Sequence, residues 1–193
     1  MELQAVTGQL YVVDGTPQAP TAVPGVLAQS APAKAARGRA ADFLFVHLSL
    51  AGQPEETAVL SQDLLDAFVR RYYQSGGSVT AALRGALNQV NELLLRLNLS
   101  GAGAAREGAI TCAVLRHGEL FLLQAGESLA LLGHNFGIER LPARAPDRIT
   151  PLGRTAGLDI RYYHQRLQTG DMLLLADPRI SHLPTDSFSD APV

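Results

Sequence analysis

Between Pro54 and Leu99 the chain carries two helical patterns back to back, and on either side of them almost nothing but strand patterns. That segregation limits the possible folds more than any other feature. Strands that follow one another through short turns pair antiparallel, and the helices must then lie on the sheet they form, an α+β arrangement. The first helix opens with Pro54, Glu55 and Glu56, where a pre-set φ and negative charge suit a helix start. It closes on Gly76-Gly77, after Arg70 and Arg71. The second opens at Ser78, and its Leu83, Leu87, Val90, Leu94 and Leu97 step by four and three residues onto one face. Such a stripe could serve a coiled coil, but it is short, and packing on a sheet is the reading adopted.

The strand patterns are equally distinct. DFLFVHLSLAG (42–52) is nearly continuous in apolar residues and is predicted as a central strand covered on both faces. GAITCAVLR (108–116), ELFLLQA (119–125), SLALLG (128–133) and FGIERLP (136–142) succeed one another, with tight turns predicted at His117-Gly118 and His134-Asn135. Residues 142–157 read as a long loop. IRYYHQRL (160–167) alternates, and DMLLLAD (171–177) is predicted as a buried strand introduced by Thr169-Gly170. At the front, residues 2–14 are predicted to form a hairpin turning near Gly8. Residues 15–41, with four of the chain's eleven prolines, are expected to be an extended, irregular connection. There are no internal repeats, and 193 residues fit one domain, taken as 1–193.

Composition removes several function classes. Sixteen Lys+Arg against eighteen Asp+Glu give a net charge of −2, without the basic face that nucleic acid requires. The longest apolar stretch, Phe43–Leu50, is interrupted by His47 and Ser49, so no membrane span is expected. The N-terminal MELQAVTGQL lacks a basic region followed by an apolar core, so a cytoplasmic protein is expected. Cys112 reads as a small buried hydrophobe rather than a reactive thiol. Among the five histidines no pair has zinc-ligand spacing; His117 and His134 are assigned to solvated turns. Gly101-Ala102-Gly103 lacks the third glycine of a dinucleotide fingerprint.

The element order and four stretches together resemble the PPM-type (type 2C) metal-dependent Ser/Thr protein phosphatases. The stretches are Phe43–Gly52, the helix pair of 54–98, the hairpin ending in Ala125-Gly126-Glu127-Ser128, and Leu167–Asp177 with its Gly170-Asp171, apolar run and Ala176-Asp177-Pro178. The likeness spans roughly residues 42–183. It implies a sandwich of antiparallel sheets flanked by helix pairs, and a water bridging two Mg²⁺ or Mn²⁺ ions that attacks a phosphoserine or phosphothreonine. Two hard cations close together require several carboxylates. On the matched positions only Glu127 and Asp177 are acids, so these are the candidate residual metal ligands. Glu127 stands where the family has Asp, and Pro178 where it has Gly.

The other matched positions depart further. Leu48 and Ser49 stand in place of the family's first Asp-Gly, and no Asn-Glu-Asp sequence precedes residue 42. Asp171 is assigned a structural role in its turn. His47 lies one residue before the vacated Asp position and is either near the old cleft or a satisfied core residue. Lys34, Arg37 and Arg39 are either a loose equivalent of the family's phosphate-gripping arginine or a solvated linker. The family's closing Asp-Asn is replaced by Asp190-Ala191 in PTDSFSDAPV. The last elements of the fold are therefore expected to be missing, and the chain to be the front of a longer polypeptide. The resulting expectation is a catalytically inactive phosphatase-like domain that binds protein partners, phosphorylated or kinase-linked ones among the candidates, and needs no cofactor. The alternative is an active phosphatase with an atypical Mg²⁺ or Mn²⁺ site.

Overall fold

Ser78 stops its own backbone from joining the second helix by capping it: its Oγ accepts from the Ala81 N–H at 3.2 Å. In the computed structural model, which describes residues 3–19, 23–101, 103–143 and 149–180, both helices form as the sequence indicates. In chain order the elements are β1 (Tyr11–Val13), β2 (Thr16–Gln18), β3 (Val26–Ser30), β4 (Phe43–Leu50), α1 (Pro54–Gln74), α2 (Val79–Leu99), β5 (Gly108–Arg116) and β6 (Glu119–Ala125). There follow β7 (Leu129–His134), β8 (Gly137–Leu141), β9 (Arg161–Arg166), β10 (Met172–Ala176) and a 3₁₀ turn at Pro178–Ile180.

Five strands make one antiparallel sheet in the order β3-β4-β5-β6-β9, and three make a second in the order β10-β7-β8. The helix stripe does what its spacing implies. Leu83, Leu87, Val90 and Leu94 are completely buried, among the inward residues Leu44, Val46, Ile110, Cys112 and Val114 of the large sheet. Leu97 is the exception, lying half exposed at the helix end. A second apolar layer, with Ala113, Leu120, Leu122, Ala130, Leu132 and Leu141, fills the space between the two sheets. Phe45 packs against that layer from the other face of β4, so this strand is covered on both sides as its apolar run suggests. Cys112 is buried, and burial pushes its thiol up to about 12, which leaves it an inert core residue.

Four sequence readings need correction. The N-terminal hairpin lies at 11–18, not 2–14, and turns at Asp14-Gly15. Both turn residues have positive φ, 49° and 75°, the geometry that two-residue hairpins favour. The Pro/Ala-rich stretch 15–41 is not wholly irregular, because Val26–Ser30 pairs with β4 along its length. β10 is an edge strand of the small sheet rather than a buried one, and Met172 is 55% exposed. The turn after β7 is Asn135-Phe136, which leaves His134 on the strand. There its Nδ1 lies 2.9 Å from Asp171, and its Nε2 lies 3.0 Å from Gln165. Asp171, which also accepts from the Gln168 N–H, has the structural role assigned to it.

The loop after β8 is pinned where it crosses the end of α2. Asn91 donates to the Thr155 carbonyl and accepts from the Gly153 N–H, and Asn98 donates to the Arg106 and Gly153 carbonyls. Leu152 is buried and bridges to Gly108 at the start of β5.

Candidate functional site

The register of the small sheet pairs Ala176 with Leu129, which brings Asp177 and the Gly126-Glu127-Ser128 corner to the same end of β10 and β7. The two candidate acids are therefore near in register, but their surroundings differ. Gly126 is buried with φ +73°, and a Cβ there would stand 2.6 Å from the Gly108 carbonyl oxygen and 2.8 Å from Ala109 Cα. A glycine is required by both conformation and space. Arg161, at the start of β9, donates to the Gly126 carbonyl at 2.6 Å and to Ser128 Oγ at 3.2 Å. Ser128 thus finds a partner on another strand. Glu127 itself is exposed between these two anchored neighbours.

Asp177 is about half-buried, and both of its oxygens are engaged by the protein. Ser49 Oγ donates to Oδ2 at 3.0 Å, from the end of β4. Arg179 donates its backbone N–H and its Nε to Oδ1, both at 2.8 Å, and Nη2 to Oδ2 at 3.1 Å. Burial pushes the Asp177 carboxyl up, but the hydrogen bonds from Arg179 and Ser49 and the Arg179 charge outweigh it and hold the group below the usual range.

Alternation along β4 decides what faces this carboxylate. Leu44, Val46 and Leu48 point into the helix-side core, and Leu48 is 3% exposed there. Leu48 is therefore not in the cleft, as the sequence match placed it. Ser49 is the β4 residue that reaches Asp177, and His47 shares its face of the strand. His47 is largely buried. Burial lowers its imidazole pKa; the Asp177 charge opposes this and that of Arg179 adds to it, with a net lowering. Sequence reasoning missed both Ser49 and Arg179. The only signal available was the Asp177-Pro178-Arg179 spacing, in which a proline turn returns a guanidinium to an acid two residues back.

The basic cluster separates into two kinds of residue. Lys34 and Arg37 are exposed, but Arg39 is completely buried, so it is neither linker nor phosphate grip. It donates to the Ser75, Gly77 and Ser78 carbonyls between the helices, and it lies 4.9 Å over the Tyr72 ring. Its ionic partner is Asp42 at the mouth of β4.

Among the described residues no group of three or more His, Cys, Asp or Glu could hold a metal ion. Asp190 and Ala191, matched to the family's closing pair, and His182 lie outside the described residues.

No protein-family model matches the chain, and no curated protein matches it. Solved structures do. The serine/threonine phosphatase Stp1 from Staphylococcus aureus superposes with a TM-score of 0.67 at 16% identity, over 97% of this chain and 82% of that one. The S. agalactiae serine/threonine phosphatase gives 0.65 at 11% identity, over 87% and 78%. PppA, described as a key regulatory component of the T6SS in Pseudomonas aeruginosa, gives 0.62 at 19% identity, over 86% and 74%. The chain has the fold of the PPM-type Ser/Thr phosphatases.

Proposed function

We propose that this chain is a catalytically inactive, cytoplasmic phosphatase-like domain that serves as a protein-binding or regulatory module. The observation that carries the reading is the engagement of Asp177. Its oxygens already accept from Ser49 and from Arg179, whose backbone N–H and 86%-exposed guanidinium stand where a cation would otherwise bind. A pair of hard divalent ions requires several oxygen ligands at 2.0–2.6 Å, and one carboxylate already ion-paired to an arginine does not fit that requirement. The leucine matched to the family's first aspartate faces the helix core. The regulatory side of the reading draws on the likeness to PppA, a regulatory component of the T6SS, and the net charge of −2 argues against nucleic acid as partner. Among the described residues no helix is long and apolar enough to cross a membrane.

One observation favours a second reading, in which the chain is an active phosphatase with an atypical metal site. Asp177 and Glu127 stand at the same end of the small sheet. Isothermal titration with Mn²⁺, run beside p-nitrophenyl phosphate hydrolysis, separates the two. The expected result is neither saturable Mn²⁺ binding nor turnover. Metal-dependent turnover that disappears in Asp177→Ala would establish the second reading instead.

A further inference from the structure

On one flank of the sandwich each sheet ends in an edge strand. β9 is the last strand of the large sheet and β8 the last of the small one, and among the described residues neither has a partner on its outer edge. A cleft of about 270 Å³ opens between them, lined by Leu120, Leu132 and Leu141 of the inter-sheet core, by Glu139 and by the β9 run 162–165. The orientation of the β9 backbone follows from one bond. Leu167 N donates to the Gly118 carbonyl, so in the antiparallel register the inward-bonding residues are Arg161, Tyr163 and Gln165. The N–H and C=O groups of Tyr162, His164 and Arg166 consequently point away from β6. Their side chains line the helix-side face, where the His164 ring stacks on Phe121 at 4.5 Å and Tyr162 is 44% exposed.

We propose that this flank binds one extended segment of a partner protein, which adds as a strand to β9, anchors an aliphatic side chain in the cleft and sets an acidic residue against Arg166. Strand addition supplies backbone hydrogen bonds, and the pockets that alternate side chains enter supply selectivity. Alternation matches the surface: residues opposite Tyr163 and Gln165 point towards Leu120, Leu132 and Leu141, and their neighbours meet Tyr162, His164 and Arg166. Charge selects the acid. Among the described residues Arg166 has no ion-pair partner, whereas Glu119, directly opposite it on β6, lies 3.5 Å from His164. An acidic side chain opposite Arg166 is favourable and a basic one unfavourable. The Arg161 end of the strand abuts the Gly126–Ser128 corner, yet the surface does not depend on the reading of that corner.

The test uses the full chain and a blocked peptide, Val-Asp-Leu-Thr-Val-Asp, with Val-Lys-Leu-Thr-Val-Lys as its charge-reversed counterpart. Hydrogen exchange read by NMR is expected to slow at the Tyr162, His164 and Arg166 amides with the acidic peptide and much less with the basic one. His164→Pro removes an outward N–H without breaking a β6 bond and is expected to weaken binding roughly tenfold, while His164→Ala keeps the amide and binds better than the proline variant. If the proline variant does not fold, Arg166→Glu, an exposed change, is expected to invert the preference between the peptides. The proposal is overturned by equal binding of both peptides, by protection elsewhere, or by no binding at millimolar peptide. It is also overturned by a concentration-dependent dimer in sedimentation that Arg166→Glu abolishes, since the flank would then serve a second copy.

Discussion

Asp42→Ala is expected to be among the most damaging single changes in the chain. The Asp42 and Arg39 side chains are both 0% exposed and lie 3.5 Å apart. Asp42 also accepts from Tyr72 Oη at 2.5 Å, from Arg116 Nη2 at 2.7 Å and from Arg116 Nε. Burial, with Asp42 beside it, pushes the Tyr72 hydroxyl far above its ordinary value, so it remains a donor. Alanine removes the acceptor of all four bonds. Arg116 is partly exposed and can turn to water, and Tyr72 loses one bond worth about 1 kcal/mol. Arg39 has no such exit, and a buried charge stripped of its partner costs about 3–5 kcal/mol. Its three carbonyl acceptors and the Tyr72 ring offset part of this, so about 3 kcal/mol is expected. Against a typical total of roughly 5–15 kcal/mol that is a large share. Urea denaturation followed by circular dichroism measures it as a shift in midpoint at unchanged slope. The double variant Asp42→Leu/Arg39→Met, with both charges removed, should recover much of the loss. A loss below about 1 kcal/mol for Asp42→Ala, or strict additivity of the two sites, would refute the argument.

Gly126→Val should cost about 3 kcal/mol or more, because φ +73° and the Gly108 carbonyl leave no place for a side chain, whereas the exposed Glu127→Gln should stay within about 0.5 kcal/mol; paired thermal melts check both. Leu48→Asp should destabilise by several kcal/mol in the same melts and gain no phosphatase activity, since it buries an unpaired carboxyl on the helix side of β4. Stability should fall with pH in two stages. Below about 6.5 the unfolded chain takes up a proton that His47, its folded pKa lowered chiefly by burial, refuses; below about 3.9 the contributions of Asp171 and Asp177, whose folded pKa values are depressed, are lost. Melting temperatures from pH 8 to 3 test this, and His47→Asn should flatten the upper stage alone.

Periodic elements could be read from the sequence because their signal is local. The step of four and three in α2, the capping Ser78 and the two-residue turn at His117-Gly118 each lie within a few residues of what they determine. The errors have the opposite character. β4 is apolar on both faces, so its composition could not say that Leu48 faces the helices and Ser49 the acid. Arg39, Asp42 and Arg116 join across 74 residues of chain, and no short-range pattern marks an arginine that will be buried. The strand at Val26–Ser30 was hidden by its proline-rich flanks, and only pairing with β4 reveals it. The same limit applied at the candidate site. The acids could be matched by position, but the donors that occupy Asp177 come from another sheet and from a turn beyond it.

On the proposed reading, those donors explain why an acid remains at the end of β10. A half-buried carboxylate requires hydrogen-bond donors and a counter-charge, whatever supplies them. Pro178 fixes the backbone turn that returns Arg179 to Asp177, so the counter-charge is local to the chain, and Ser49 ties the same group to β4 across the sandwich. A guanidinium balances charge and holds planar geometry, but it has no open coordination position in which to bind and acidify a water. The same corner can therefore brace the two sheets against each other without providing a hydrolytic nucleophile. Arg179→Met separates the two roles. If Asp177 is held only as a brace, the variant should lose no more than about 1 kcal/mol, because the Arg179 side chain is 86% exposed and its pair with Asp177 is screened by solvent, and it should gain no affinity for Mn²⁺ in calorimetry. A variant that binds Mn²⁺ tightly and regains its melting temperature with the ion would mean that the arginine stands in for a cation this corner can still accept.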